Sequence, residues 1–114
     1  MAITFNFTAA MGAYKEATIA DTTETTMLDD QQVVGNQRGL AGYVYSDKAG
    51  TIKIYFIDRN NADIQLQSKA VVASQLTVLD FDYHLPRYKA TFTRDDAVGD
   101  ATVWVEFFSY GASR

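Results

Sequence analysis

From Leu40 onward, apolar and polar side chains alternate in short runs separated by turn residues. A period of two sends successive side chains to opposite faces of an extended strand. In Gly50–Ile57, Ile52, Ile54 and Phe56 share one face and Lys53 lies on the other. Between Ser74 and Tyr83, Leu76 and Val78 fall on one face, with Leu79, Phe81 and Tyr83 on the opposite one. Tyr88, Ala90 and Phe92 alternate with Lys89, Thr91 and Thr93. Val103, Val105 and Phe107 stand opposite Trp104, Glu106 and Phe108. Leu40–Ser46 and Asp63–Val72 read as two further strands, the second less regular.

The intervening residues suit turns for backbone reasons. Asp47-Lys48-Ala49-Gly50 is expected as a tight hairpin, with Gly50 free to take positive φ. Asp58-Arg59-Asn60-Asn61 is expected as a second, since Asn tolerates the left-handed region, and Asp95–Asp100 as a longer third. Pro86, the single proline, opens a strand instead of interrupting one. No segment holds a 3.6-residue period long enough for a helix. Six strands spaced by about 8–12 residues predict an all-β fold, an antiparallel β-sandwich or jelly-roll-like barrel of about six to eight strands.

The first 39 residues read differently. Ile3, Phe5 and Phe7 alternate with Thr4, Asn6 and Thr8, which predicts a short strand. Ala17–Thr26 is rich in Thr and Ala with few apolar anchors, and Asp29–Gln32 and Gly35–Gly39 are polar and loop-like. Two readings stay open: an extra strand or two completing the sandwich, or an extended arm that adds a strand to a neighbour's sheet edge. The expected organisation is a single domain, with the strand or arm and polar loops over 1–39 and the sandwich core over 40–114.

Composition narrows the function. The 114 residues are 47% hydrophobic and 13% aromatic, enough for a core without staples, and there is no cysteine for disulfides or thiolate ligands. A net charge of −4 argues against a nucleic-acid partner, which needs a basic footprint. No apolar run nears the roughly 20 residues of a membrane span. The opening residues lack the basic and continuous apolar regions of a signal peptide, so synthesis in a cytoplasm is expected.

Candidate chemistry is sparse. His84, the lone histidine, sits at a strand junction without the nucleophile and orienting partner that catalysis needs. Asp95, Asp96 and Asp100 lack the spacing of a calcium loop, so a solvated turn is expected there, and Asp29 and Asp30 read the same way. The glycines form no phosphate cradle. No metal, no cofactor and no enzymatic activity are expected. The aromatics carry more information: Trp104, Phe107, Phe108 and Tyr110 load both faces of one strand, although a sandwich buries only one. Tyr43, Tyr45 and Tyr55 raise the same question. Either another segment covers the second face, or it is a subunit interface, where aromatic residues are enriched.

The order Tyr45-Ser46-Asp47-Lys48-Ala49-Gly50-Thr51-Ile52, a polar turn at Asp58–Asn61, Leu85-Pro86-Arg87-Tyr88-Lys89-Ala90-Thr91-Phe92 and a last strand at Thr102–Phe108 resembles the small β-sandwich proteins of tailed-bacteriophage virions, notably head decoration (cement) proteins. The resemblance covers roughly Leu40–Tyr110 and departs from that pattern at the second turn. It implies a virion structural protein on the capsid surface. Such a protein is a homotrimer that binds the major capsid protein and stabilises the head. On that basis Ile3, Phe5 and Phe7 are candidates for a capsid-binding arm, and Trp104, Phe108 and Tyr110 for an oligomer interface. The alternatives are a tail or baseplate protein and a carbohydrate-binding module that stacks sugars on Trp104 and the tyrosines; a small hydrolase lacks a nucleophile constellation.

Overall fold

A computed structural model describes residues 12–33 and 37–111. They form eight strands: β1 (Gly12–Ile19), β2 (Thr25–Gln32), β3 (Gly39–Ser46), β4 (Gly50–Ile57), β5 (Asp63–Val71), β6 (Thr77–Phe81), β7 (Arg87–Arg94) and β8 (Ala101–Tyr110). Sheet A has the order β1-β8-β3-β6 and sheet B the order β2-β7-β4-β5, with every pairing antiparallel. The pairings are nested, β4 with β5, β3 with β6, β2 with β7 and β1 with β8. Rolling that long hairpin so that β8 also meets β3, and β7 also meets β4, generates a jelly-roll sandwich. The all-β antiparallel sandwich expected from the sequence is the observed fold.

The topology corrects two of the expected hairpins. Only β4 and β5 are sequential strands of one sheet; every other connection carries the chain across to the opposite sheet. The Asp47–Gly50 and Asp95–Asp100 turns are therefore corners between layers. At the first corner, Ser46 Oγ accepts from Lys48 N at 3.1 Å and donates to Lys48 O at 2.6 Å, while Asp47 Oδ1 accepts from Thr102 N at 2.9 Å. Gly50 does not use positive φ. It is required because a Cβ there would lie 2.4 Å from the Phe92 ring and 2.5 Å from Thr93 O. In the turns read from the sequence the left-handed positions are instead Asn61 in the β4–β5 hairpin (φ 62°), as expected, and Gly99 in the β7–β8 corner (φ 72°).

The core lies between the sheets and follows the alternation. Val103, Val105 and Phe107 of β8, Leu40 and Val44 of β3, Ile52 and Ile54 of β4, Ala90 and Phe92 of β7, and Leu79 and Phe81 of β6 are all buried. Each large apolar side chain so buried contributes about 1.5–3 kcal/mol relative to exposure. Phe107 needs room from the adjacent strand. Gly42 pairs with it in register, and a Cβ at Gly42 would meet the Phe107 ring at 2.2 Å.

Extra strands complete the sandwich from the segment before β3, one of the two readings left open; the loop-like reading of Asp29–Gln32 is corrected, because it belongs to β2, and the cause is clear. Edge strand β1 turns small Ala13 and Ala17 toward the core and only Ile19 is fully buried. Strand β2 buries Met27 and Leu28, but register shifts on both sides of Leu28 erase the period of two. Ile3, Phe5 and Phe7 lie outside the described residues. Arg94, 2% exposed, ties the β7–β8 corner to the end of β1 by donating to Ile19 O (2.8 Å), Val98 O (3.0 Å) and Gly99 O (2.5 Å). At the other lateral edge, Lys69 Nζ of β5 donates to Val78 O of β6 at 2.8 Å, occupying a carbonyl that an edge strand otherwise offers to another chain.

Substituting Gly42→Ala is expected to lower unfolding free energy by about 1–3 kcal/mol, the usual range for overpacking a core. In urea titrations, Gly42→Ala combined with Phe107→Leu should lose less than the two single losses together, because the smaller side chain relieves the clash. Strict additivity would contradict this packing account.

Candidate functional site

Since alternate residues of β8 face the core, Thr102, Trp104, Glu106, Phe108 and Tyr110 face outward on sheet A. The register sets what stands beside them, because directly opposed residues of antiparallel strands share a face at close range. Trp104 lies between Glu16 of β1 and Tyr45 of β3. Glu106 lies between Tyr14 and Tyr43, with Val78 of β6 continuing that row. Phe108 lies between Gly12 and Ala41, with Asp80 beyond.

The rings stack along and across these rows. Tyr45 and Trp104 are 6.0 Å apart and 20° from parallel; Tyr14 and Trp104 are at 6.3 Å and 29°. Tyr43 and Phe108 are at 5.7 Å and 25°. Tyr110 packs over Gly39 and donates its hydroxyl to Asp80 Oδ1 at 2.6 Å. That hydrogen bond to a carboxylate, followed by partial burial, raises the Tyr110 phenol above its ordinary range. Tyr14 is 58% exposed. Its phenol too is raised, by desolvation first and then by the carboxylates of Glu16 and Glu106.

The structure thus places Trp104, Phe108 and Tyr110 together on one outward face. Tyr43 and Tyr45 join them, and Tyr55 does not, since it belongs to the outer face of sheet B. Two members escape a reading of the sequence. Tyr14 sits in a segment without strong alternation, and Glu106 gains its central position only from the register of β1 and β3 on β8.

Sheet B presents a different surface, in which charges are paired. Tyr55 and Thr91 donate their hydroxyls to Glu24 Oε2 at 2.5 and 2.6 Å. Lys89 Nζ lies 2.5 Å from Asp63 Oδ2 and 5.0 Å from the centroid of the Tyr55 ring. Arg87 grips Asp30 with two bonds, Nε to Oδ1 at 2.9 Å and Nη2 to Oδ2 at 3.0 Å, and also donates to Asn61 Oδ1 and Asp58 O. Asp30 adopts φ 46° within β2, which brings its carboxylate to Arg87; the expectation of a merely solvated Asp30 is corrected. Asp95, Asp96 and Asp100 are exposed in their turn, as expected, and Asp96 Oδ1 accepts from Val98 N. His84 is exposed between β6 and β7. Among the described residues no three His, Cys, Asp or Glu side chains gather as metal ligands, and no helix is long and apolar enough to cross a membrane.

Comparison with known proteins supplies the fold alone. No family model and no curated protein matches the sequence. Among solved structures, the PBSX exported protein XepA superposes with a TM-score of 0.68 at 20% identity, over 90% of this chain and 37% of XepA. The chain therefore spans little more than a third of that protein. The Yersinia pseudotuberculosis-derived mitogen gives 0.58 at 13% identity, over 90% of this chain and 89% of the mitogen. A protein of the Bacillus endospore appendages, described as disulfide-linked pili, gives 0.52 at 14% identity, over 90% of each chain.

Acid should weaken the sheet-B network. The Thr91 and Tyr55 hydroxyls lower the Glu24 pKa, and the Arg87 guanidinium lowers that of Asp30. A depressed folded-state pKa contributes stability that is full above the unfolded values, about 4, and is lost as pH falls through the folded ones. Denaturant melts between about pH 6 and 2 should show stability falling below about pH 4. Glu24→Gln and Asp30→Asn should each flatten that acid limb; an unchanged slope would contradict the assignment.

Proposed function

We propose that this protein is a non-enzymatic virion structural protein that docks through the aromatic outer face of sheet A and decorates and stabilises a bacteriophage capsid. The observation that carries the reading is the concentration of Tyr14, Tyr43, Tyr45, Trp104 and Phe108 on a single solvent-facing sheet surface. Large aromatic side chains bury much area at little conformational cost and dominate the energetics of protein interfaces. The resemblance of Leu40–Tyr110 to head decoration proteins supports the capsid as the partner. A fold shared with a pilus-forming protein is in keeping with a role in assembly.

In this reading the major capsid protein is the partner and the location is the outer surface of the virion. A homotrimer gains avidity from contacts that are individually modest. Trp104, Phe108 and Tyr110, candidates for an oligomer interface in the sequence, belong in this reading to the face turned to the capsid, and Ile3, Phe5 and Phe7, candidates for a capsid-binding arm, lie outside the described residues.

Purified protein added to undecorated, expanded heads of its own phage should saturate them and raise the temperature at which they rupture. Trp104→Ala should lower head affinity by at least about tenfold, as expected for a central aromatic anchor, with little change in the melting of the free protein. Saturated heads that rupture no later than bare ones would refute stabilisation. Undiminished binding by the Trp104→Ala variant would refute the assigned face.

A further inference from the structure

We infer that the carboxylate of Glu106, framed by Tyr14, Tyr43, Trp104 and Phe108, is the docking point for an arginine side chain of the protein that covers sheet A. The inference rests on the proposed reading of sheet A as the contact face and names the chemistry of its partner.

The frame follows from register. Tyr14 and Tyr43 flank Glu106 across the strands, while Trp104 and Phe108 stand two residues before and after it on the same face of β8. Glu106 is half-buried among them. Across the outward positions of sheet A the charged side chains are Glu16, Asp80 and Glu106, all carboxylates. Among the described residues neither a lysine nor an arginine forms an ion pair with Glu106. Arg38, just before β3, pairs with Asp82 at the rim, 3.5 Å away, and Lys15, between Tyr14 and Glu16 on edge strand β1, stands in register with the inward Val105 and so alternates to the other side of the strand.

Sheet B shows the same chemistry completed within the chain. There a cation, Lys89, lies between a carboxylate, Asp63, and an aromatic face, Tyr55. Sheet A supplies the carboxylate and the rings and leaves the cation to the partner. Charge complementarity also disfavours a second copy laid face to face, since Glu16, Asp80 and Glu106 would meet their own like charges. Arginine fits better than lysine. Its planar guanidinium stacks on aromatic faces, gives a carboxylate two parallel hydrogen bonds and is more weakly hydrated than an ammonium.

Hexa-arginine amide is a suitable probe, because Trp104 is the only tryptophan and its emission reports directly from the frame. Titration should show saturable binding, tighter than for hexalysine and weakened as salt rises from roughly 50 to 300 mM. Glu106→Gln preserves size but removes the charge and replaces one acceptor oxygen by a donor, and should weaken binding about tenfold. Asp100→Asn removes the same charge from the exposed β7–β8 corner and should change binding less than twofold. Equal weakening by the two variants would overturn the inference, as it would reduce the effect to net charge. Saturation by tetramethylammonium or xylohexaose, with hexa-arginine inert, would overturn it as well. The head-binding assay separates the two claims. Trp104-dependent binding to heads with no response to hexa-arginine refutes the arginine and keeps the contact face. Glu106-dependent hexa-arginine binding without head binding supports the arginine site and refutes the capsid role.

Discussion

The sandwich depends on the burial of alternate side chains of β8 while that strand is hydrogen-bonded on both sides. Flanked by β1 and β3, β8 has no free edge, and Val103, Val105 and Phe107 are held fully inside. A one-residue slip would turn all three to solvent and push Trp104, Glu106 and Phe108 into the core, so the register is strongly specified. The same constraint builds the outer surface. Once the valines are inside, the aromatic and acidic residues between them must project outward, and the tyrosines of β1 and β3 are fixed beside them. Fold and candidate site are two consequences of one pairing.

The two outer faces divide the surface chemistry. On sheet B, guanidinium, ammonium and hydroxyl groups satisfy Asp30, Asp63 and Glu24 within the chain. These contacts stitch β2 and the β4–β5 hairpin to β7. On sheet A the rings stack on each other at 5.7–6.3 Å and the carboxylates share one sign. The first arrangement suits a face that meets water; the second suits a face that meets another molecule.

Much of the architecture from Leu40 onward is legible in the sequence, because Ile52 and Ile54, Tyr88 to Phe92, and Val103 to Phe107 keep a clean period of two. The two faces expected for β6, β7 and β8 separate as read, with Thr91 the exception, since it lies opposite Tyr88, Ala90 and Phe92 and is nevertheless buried. Strands β1 and β2 are less legible for physical reasons. An edge strand can satisfy the core with Ala13 and Ala17, and irregular pairing around Leu28 scrambles alternation. The first corner reads as a hairpin because Ser46 closes it through local bonds to Lys48, while the bonds that tie Asp47 to Thr102 across the fold are long-range. Gly50 was legible as necessary, but its reason, the overlying Phe92 ring, is tertiary. Trp104 and Phe108 could be placed outward from their own strand. The centrality of Glu106 required the register of two partners far away in sequence.

The central claim is that the outer face of sheet A, and not that of sheet B, meets the partner. Hydroxyl-radical footprinting of the protein, free and bound to undecorated heads, tests it most directly, since tyrosine, tryptophan and phenylalanine on the two faces report separately. Binding should protect Tyr14, Tyr43, Trp104 and Phe108, with Tyr55 labelled to the same extent in both states. Protection of Tyr55 with Trp104 and Phe108 unchanged would contradict it.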